Sequence, residues 1–496
     1  MKNMKRLASL VLALLMAATS VATLASCNGD KPKGGEESTV AQGSENVTVE
    51  SANDEVSGDV HPEIRQKNWG EDFYLHILPD VNPTGCYWVE ESKNDLMSEA
   101  VFERQQKIYN YLGVEIFGRG TGNFSQYIEP FTTAVKNKDG SVDLLISHVH
   151  TGVGGLVSEN YLTDYNNIPG VMIEEDYWNQ EFMENISIND HKYLGFNDFN
   201  ILYTYVVTYN KDMLDKYKDA LDETVYSMVD NHRWTLDKMI SLANLAYIDT
   251  TNDGKTSDDQ FGITGHHWVP FCGFIHSSNI NLVKMDNQGN YIVSVYDDVN
   301  REKTANLIAT IEALAESNAS WFWHNDTWDK VNLYGGKTLM NLSATIHLSG
   351  FVDYDVPFGV LPYPMYDEGQ ASVGYRSLQW GGYLCVPSYT RDLQMIGETV
   401  EMLAFFSEPV RVTYFEKLLG KQVADSPDDS RMLDIVWDSI CSDFGQTYYD
   451  EVNRTQLLYM VPVLTKTNAT ESISSFMAAV DKMANKQYKK FVSDCE

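Results

Sequence analysis

Strand and helix patterns alternate in the first part of the chain. Residues 72–78 alternate between apolar and polar positions and are rich in β-formers, which predicts a strand. Residues 94–112 carry apolar side chains at helical spacing on one face, which predicts a helix with Asn94 as N-cap and Gly113 as C-terminal stop. Further elements are predicted as a helix at 127–136 and strands at 114–117 and 142–149. This order is typical of a parallel sheet covered by helices.

The later part of the chain opens with a different pattern. Residues 192–209 form one aromatic, β-rich stretch, which predicts a single long strand. Thr235 precedes an apolar helical pattern and is predicted to cap it. The remaining predictions are strand and loop at 262–275, helices at 306–316, 398–406, 432–440 and 472–491, and strands at 338–347 and 358–361. No tandem repeat separates independent domains, so the pattern favours two α/β lobes that share strands.

The N-terminus has the features of an export signal. Three basic residues among the first six precede an apolar run over residues 7–24. The run ends in LASC at 24–27, which resembles the bacterial lipobox, whose cysteine, here Cys27, is acylated after cleavage. A transmembrane helix is the alternative, since a run of this length could span a bilayer. The small residues before Cys27 favour cleavage and a protein lipid-anchored on the extracellular face of the cell membrane.

A polar segment follows the predicted lipidation site. Residues 28–66 are rich in Gly, Ser, Asn, Asp and Glu and contain no aromatic residue, which predicts a disordered acidic tether. About 430 residues remain after it, enough for two lobes. The net charge of −33 argues against nucleic acid as a partner, because phosphate binding needs fields of Lys and Arg.

The spacing of the cysteines indicates no metal site and no redox site. No C-x-x-C occurs, so neither a zinc ribbon nor a redox motif is indicated, and no disulfide is assigned. The cysteines after Cys27 are predicted to be mostly buried thiols, and they are Cys86, Cys272, Cys385, Cys441 and Cys495.

Four short phrases occur in a fixed order along the chain. They are Tyr209–Leu214 (YNKDML), Trp234–Asp237 (WTLD), Gly336–Asn341 (GKTLMN) and Phe358–Pro364 (FGVLPYP). In this order, behind a lipobox and a tether, they resemble the extracellular solute-binding proteins of ABC importers, in the branch that includes maltose-binding protein. The resemblance covers about residues 68–496, and the ligand-facing positions are not among the shared phrases.

This resemblance implies a two-lobed α/β fold of the periplasmic-binding-protein type II class, with a cleft between the lobes and three chain crossings. By phrase order the crossings are expected near Asn200, Gln379 and Glu451. The lobes are then expected at 67–200 with 379–450 and at 201–378 with 451–496. Ligand would lie in the cleft and be trapped by hinge closure. A monomer of this kind would deliver its solute to permease subunits in the membrane.

Loops that follow strands are the candidate ligand contacts, because open α/β sheets bind ligands at the carboxyl ends of their strands. The loop 148–155 carries His150 and Thr151. Its H-x-H could also hold a metal, although no third ligand is evident, and its glycines lack the Lys-Ser/Thr sequel of a phosphate loop. The other candidates are Asn200 and Tyr203 at the first crossing, His267 and Trp268, His347, and Gln379 with Trp380 at the second crossing.

Aromatic and amide side chains suit a sugar, which presents apolar C–H faces and a rim of hydroxyls. Trp268 and Trp380 are predicted to stack on sugar faces, with burial in the core as the alternative for each. The expected function is therefore carbohydrate capture without catalysis, and no G-x-S-x-G or H-E-x-x-H occurs. The open alternatives are a peptide, polyamine or metal in the same fold, and a surface glycoside hydrolase.

An acidic loop (DTTNDGKTSDD) is a candidate cation site. It places Asp249, Thr251 and Asp253 at the spacing of a calcium loop, followed by Lys255. Gln260 stands where calcium prefers a bidentate glutamate, and the alternative is an Asp/Gly-rich surface turn. A structural Ca²⁺ held by these four residues is the one cofactor that the sequence suggests.

Overall fold

The computed structural model describes residues 60–77, 85–120, 127–266, 269–295, 297–323, 335–348, 356–418, 427–451 and 473–495. Gly58–Glu496 form one compact unit, and Met1–Ser57 form another that lies outside the described residues. The signal peptide, the lipidation site Cys27 and most of the tether fall in that second unit and stay predictions. Within the described residues, no helix is long and apolar enough to cross a membrane.

The elements below are numbered in chain order. The strands are β1 (Asp72–His76), β2 (Glu115–Arg119), β3 (Leu144–His148), β4 (Tyr205–Asn210), β5 (Phe261–His266), β6 (Val283–Met285), β7 (Tyr291–Val293), β8 (Ser320–Trp323), β9 (Thr338–Ala344), β10 (Phe358–Leu361), β11 (Ser377–Leu378), β12 (Gly381–Cys385) and β13 (Ile440–Cys441). The helices are α1 (Leu96–Leu112), α2 (Ile128–Asn137), α3 (Val153–Ser158), α4 (Gln180–Asn185), α5 (Lys211–Asp215), α6 (Val225–Asp230), α7 (Leu236–Ala246), α8 (Val269–Ser277), α9 (Arg301–Glu316), α10 (Leu393–Phe405), α11 (Glu408–Val412), α12 (Pro427–Asp438), α13 (Phe444–Thr447) and α14 (Ile473–Asp494).

Two mixed sheets organise the described residues. The first has the strand order β12-β3-β1-β2, in which β1 is parallel to β2 and β3, and β12 is antiparallel to β3. The second has the order β10-β4-β9-β5-β8, in which β5 is parallel to β8 and β9, and β4 is antiparallel to both of its neighbours. Antiparallel strands at the margin of a parallel sheet are common in α/β folds. The α/β class predicted from the sequence is confirmed.

Local patterns explain the first sheet and its covering helix. Every residue of β3 is buried, which accounts for its continuous apolar sequence between β1 and β12. Asp95 caps α1, because its carboxylate accepts a hydrogen bond from Ser98 N at 2.9 Å. The prediction of Asn94 as N-cap is therefore wrong by one residue. Gly113 ends the helix as predicted, with φ of 66° in the left-handed region.

The single strand predicted over 192–209 is wrong for most of its length. Only Tyr205–Asn210 forms a strand, and the residues before it make isolated bridges. Each bridge has a different partner, so the aromatic side chains are buried without a continuous ladder. The three bridges are Trp178 with Asn197, Gly195 with Leu384, and Thr204 with Gln379.

Other element bounds differ from the predictions in a systematic way. Helices α9, α10 and α12 begin five residues before the predicted starts at 306, 398 and 432. The first turns of α9 and α12 are polar, so in these two helices the apolar pattern begins only after the helix has begun. Residues 269–277 are helix α8, where strand and loop were predicted, because a short apolar run does not distinguish a strand from a buried helix.

Three chain segments pass side by side between the two sheets. The first is Asn200–Thr204, which leads into β4, and the second runs through Gln379 from β11 into β12. The third contains β13, which pairs in parallel with β11. The crossing expected near Glu451 stays a prediction.

Helix α12 packs on elements of the second sheet. Lys211 Nζ, at the start of α5, lies 2.6 Å from the carboxylate of Asp429. Arg431 forms a second ion pair with Asp230 at the end of α6. The boundaries that divide the chain into two lobes stay a prediction, and these contacts associate residues 427–438 with the second sheet.

Residues 60–66, predicted to end the tether, are packed on the folded unit. His61 is fully buried, and its Nε2 lies 3.1 Å from Tyr177 Oη and 3.5 Å from Glu401 Oε1. Ile64 is also buried, and its carbonyl accepts a hydrogen bond from Tyr111 Oη. The buried side chains of His61 and Ile64 anchor this otherwise polar stretch, so packing on the folded unit begins before residue 67.

The cysteines of the described residues are buried thiols, as predicted. None of the five is in a disulfide within the described residues, and they are Cys86, Cys272, Cys385, Cys441 and Cys495. Burial raises the pKa of Cys441 to about 11 and that of Cys495 to about 12. These thiols therefore stay protonated and are poor nucleophiles near neutral pH.

Candidate functional site

The carboxyl ends of several strands meet the crossing segments. Strand β9 ends at Ala344, and Thr345 N then donates to Thr204 O in the first crossing at 2.8 Å. Strands β5 and β8 are parallel to β9 and therefore end at the same edge. In the first sheet, β3 ends at His148, opposite Gly381 at the start of β12. Ligands of open α/β sheets bind at such strand ends.

Trp380 lies at the centre of this region. Its half-buried indole contacts three rings: His148 at 4.7 Å, Tyr203 at 5.0 Å and Tyr205 at 5.9 Å between centroids. Its Nε1 is buried and has no hydrogen-bond partner among the described residues. A buried indole N–H normally has an acceptor. Trp380 is therefore held by three ring contacts, and its buried N–H is left without an acceptor among the described residues.

Tyr203 in the first crossing and Tyr205 at the start of β4 both pack against the Trp380 indole. Tyr203 is buried and has φ of 76°, a conformation that a bulky residue adopts only where its surroundings impose it. Tyr205 stacks on Trp380 at an interplanar angle of 30° and on Tyr363 at 35°. The prediction that Tyr203 contacts ligand stays a prediction, and in this structure its ring supports Trp380.

Gln379 braces the first two crossings. Its Oε1 accepts a hydrogen bond from Thr204 Oγ1 at 2.6 Å, and its Nε2 donates to the carbonyls of Leu202 and Gly381. The side chain is 1% exposed. All of its polar atoms are thus engaged within the protein. Its role as a ligand contact stays a prediction, whereas its role in holding the crossings together is visible.

The turn after β3 is built by reciprocal caps. His148 Nδ1 accepts a hydrogen bond from His150 N at 3.0 Å, and Thr151 Oγ1 donates to His148 O at 2.6 Å. This arrangement closes the turn Val149–Thr151. Because Thr151 is buried and its hydroxyl is engaged, it shapes the loop. Burial and the neighbouring His150 hold the pKa of His148 well below its ordinary value, so this imidazole stays neutral.

His150 points away from this turn toward the third crossing. It is exposed, and its Nδ1 is hydrogen-bonded to Tyr449 Oη. The two rings meet edge to face at 5.5 Å. The pair joins the loop after β3 to the segment that follows α13. His150 is exposed, whereas the other imidazole of this turn, His148, is buried.

Asn200 is buried beside Gly382. It is 1% exposed, and neither of its amide atoms has a hydrogen-bond partner among the described residues. Gly382 has φ of 82°, and a Cβ at this position would lie 3.1 Å from Asn200 Oδ1. Only glycine allows this approach without strain. The amide is therefore available to a water molecule or a ligand hydroxyl, and ligand contact stays a prediction.

The candidates from the second sheet are described only in part. His347 follows β9 and is exposed, yet the surrounding protein desolvates its ring and lowers its pKa. His267 and Trp268 lie outside the described residues, immediately after the end of β5 at His266.

The acidic loop after α7 is closed by its own hydrogen bonds. The Asp249 carboxylate accepts from the backbone N–H groups of Thr251, Asn252 and Gly254. Lys255 Nζ donates to the carbonyls of Ala315 and Ser317, which directs it away from the loop. In the part of the chain that the structure describes, no group of three or more His, Cys, Asp or Glu side chains could hold a metal ion. Calcium binding by Asp249, Thr251, Asp253 and Lys255 stays a prediction.

The structure brings four of the sequence candidates close together. His148 lies among these candidates, which are Thr151, His150, Tyr203 and Trp380. The centroid of its ring lies within 5.5 Å of the ring centroids of His150, Tyr203 and Trp380, and its carbonyl accepts a hydrogen bond from Thr151. The sequence placed His148 in the loop but gave it no role. It also missed Tyr205 and Tyr449, since tyrosines are frequent in this chain. The aromatic surface around Trp380, with the imidazoles of His148 and His150 beside it, is suited to holding a small polar molecule with an apolar face.

Comparison with known proteins gives structural neighbours only. No family model and no curated protein sequence matches this chain. The GacH receptor of Streptomyces glaucescens, solved unliganded and with acarbose, aligns with a TM-score of 0.53 and 15% identity over 86% of this chain and 99% of its own. The ABC substrate-binding protein Lmo0181 of Listeria monocytogenes, in complex with cycloalternan, gives 0.52 and 11% over 84% and 98%. The cyclic alpha-maltosyl-1,6-maltose binding protein of Arthrobacter globiformis gives 0.54 and 13% over 85% and 99%.

These alignments span nearly all of each neighbour and 84–86% of this chain. At identities of 11–15% they establish the fold and not the ligand. The predicted architecture is confirmed: the chain has the two-lobed α/β fold of these ABC substrate-binding proteins, with an interlobe cleft and three chain crossings.

Proposed function

We propose that this chain is an extracellular solute-binding protein that captures a sugar or oligosaccharide in its interlobe cleft and delivers it to ABC transporter permease subunits. The observation that carries this proposal is Trp380, an aromatic side chain fixed at the crossings with its N–H unpartnered among the described residues. The neighbours that share the fold support it, because each is itself a receptor or binding protein for acarbose, cycloalternan or cyclic maltosyl-maltose.

The side chains around Trp380 suit sugar recognition. An indole face stacks on the C–H face of a pyranose, while its N–H donates to a hydroxyl. His150 and the amide of Asn200 add groups that both donate and accept. Because His148 is neutral, the site carries little local positive charge, which suits an uncharged ligand.

Closure of the lobes would supply the remaining contacts. His347 follows β9 of the second sheet, and the His148 turn follows β3 of the first. Rotation about the crossings would bring these surfaces onto one ligand. Binding in this manner needs no acid–base pair, so we propose capture and release rather than catalysis.

Attachment to the cell completes the proposal. Acylation of Cys27 would anchor the chain, and the acidic segment after it would let the folded unit reach its permease. The folded unit would act as a monomer, because one chain contains both lobes and the cleft.

A ligand screen tests the proposed function. Residues 28–496 are mixed with a panel of neutral gluco-oligosaccharides, peptides and polyamines, and the melting temperature is recorded for each. A true ligand at about 100 times its Kd stabilises the folded state by about 2.7 kcal/mol, which raises Tm by several degrees. A shift with saccharides supports the proposal. A shift with peptides or polyamines only, or turnover of an oligosaccharide, refutes it.

A further inference from the structure

A second concave site lies away from the crossings. It is a cavity of about 520 Å³ between the start of α9 and the loop that joins β10 to β11. None of its lining residues belongs to the crossing segments or to the surroundings of Trp380. They are Asn279, Val299, Glu302, Lys303, Asn306, Tyr366, Asp367, Gly369, Gln370 and Val373, here called the α9 pocket.

One wall of the α9 pocket is preformed. Gln370 is 5% exposed, and its Nε2 donates to Ser277 O at 2.7 Å and to Gly374 O at 3.1 Å. Its Oε1 accepts from Tyr366 N. These bonds fasten the loop to the end of α8, so little ordering entropy remains to be lost when a ligand binds there.

The floor holds a cation beside an aromatic ring. Lys303 Nζ lies 4.9 Å from the centroid of the Tyr366 ring. Lys303 forms no ion pair within 4.0 Å among the described residues, although the more distant Asp367 attracts it. Burial lowers the pKa of Lys303 despite that attraction. This ammonium is partly desolvated and has donor capacity to spare.

Polar side chains without protein partners converge on the same cavity. Asn279, Glu302 and Asn306 are exposed, and none makes a side-chain hydrogen bond within the part of the chain that the structure describes. Between them lie two exposed apolar side chains, Val299 at 81% and Val373 at 49% exposure. Exposed valines beside unsatisfied amides form an amphipathic surface.

The charged side chains that line the α9 pocket indicate which class of ligand it can bind. An anion would meet Glu302 and Asp367, and a cation would meet Lys303, so neither is well matched. A neutral molecule with many hydroxyls satisfies donors and acceptors together, and its C–H faces cover the valines. We propose that the α9 pocket is a second carbohydrate site, outside the interlobe cleft, which holds a neutral sugar unit without lobe closure. It shares with the proposed function only the class of ligand.

Calorimetry with three proteins tests this second site. Wild-type chain, Trp380→Ala and Glu302→Ala/Asn306→Ala are titrated with the saccharide that gives the largest thermal shift, or with maltotriose if none does. A matched control, Glu103→Ala/Asn110→Ala, removes the same two residue types from exposed positions of α1. We expect Trp380→Ala to keep a weak site, and Glu302→Ala/Asn306→Ala to weaken that site at least about tenfold, by loss of two hydrogen bonds. The control should match wild type.

Each alternative result has a definite meaning. If Trp380→Ala removes all binding, or if the pocket variant binds like the control, the second site is refuted and the cleft proposal stands. If Trp380→Ala binds like wild type and only the pocket variant loses affinity, the second site stands and the proposed role of Trp380 fails. If wild type binds none of the saccharides, both proposals fail.

Discussion

Thr204 donates its hydroxyl to Gln379 Oε1 at 2.6 Å, and the same two residues pair through their backbones as an antiparallel bridge. Two of the three crossings are therefore joined by side chain and main chain at one level. Both residues are at most 2% exposed, so no water can replace the contact. A lobe rotation would have to preserve this joint and take up its torsional change at neighbouring positions.

Removal of the Thr204 hydroxyl should destabilise the folded unit. Thr204→Val keeps the shape but leaves Gln379 Oε1 buried without that donor, which costs about 1–3 kcal/mol. We expect a lower Tm by thermal unfolding. Gln379→Met should cost more, because it also leaves the carbonyls of Leu202 and Gly381 without their donor.

The double variant isolates the joint itself. Once Gln379 is Met, Thr204→Val should cost less than it does alone, since the shared hydrogen bond is already absent. Additive effects would show that the two side chains act independently, contrary to the geometry.

Trp380→Ala should weaken saccharide binding by about ten- to a hundredfold, since an aromatic contact and an indole hydrogen bond together amount to about 1–3 kcal/mol. Trp380→Phe should recover part of the loss, because it restores the ring and not the N–H. Isothermal calorimetry measures both. Trp437→Phe, on α12 beside Phe415 and Arg411, is the control and should bind normally. Equal affinity of Trp380→Ala and wild type would remove Trp380 from the site.

Much of the fold follows from local pattern. The spacing of apolar residues in α1 and the burial of β3 are fixed by periodicity, and both were predicted from it. The segment before β4 was not, because Trp178, Gly195 and Thr204 each bridge to a partner that is distant or irregular. Tertiary packing there decides a structure that local propensity assigns to a strand.

The site was predicted only at the level of loops. Trp380 and His150 stood out because they lie near predicted crossings, yet the neutral His148 between them has no distinguishing sequence signal. Gln379 shows a role that the sequence does not reveal. Its ligand contact stays a prediction, while its three hydrogen bonds within the protein hold the crossings together.

Asp198 should make the free energy of unfolding decrease as the pH rises from about 4 to about 6. Burial raises its pKa from 3.8 to about 6, although Arg411 at 4.0 Å opposes the shift. The folded state then holds a proton that the unfolded state releases, so this group's stabilisation is complete below its unfolded pKa and is lost as pH rises through about 6. Asp198→Asn removes the effect. The Tm of Asp198→Asn should rise relative to that of wild type as the pH increases across this window. Parallel curves of Tm against pH for the two proteins would contradict the raised pKa of Asp198.

Glu401 supports the segment that precedes α4. Its Oε1 accepts from Tyr177 Oη at 2.5 Å, and its Oε2 accepts from Trp178 Nε1 and from Met172 N, both at 3.0 Å. The side chain is fully buried, so these donors have no water to replace it. Glu401→Gln has the same size but turns one acceptor into an amide that faces a donor.

We therefore expect Glu401→Gln to lower the free energy of unfolding by about 2–3 kcal/mol, the range for a charged buried acceptor. Tyr177→Phe should cost less, because it removes one donor and leaves Oε2 satisfied. Glu408→Gln, at an exposed carboxylate in the first turn of α11, is the control and should change stability little. Thermal unfolding of the three variants measures this order. If Glu401→Gln has the same Tm as the control, the buried carboxylate does not hold residues 172–178 in place, and the packing of residues 61–66 depends on Ile64 instead.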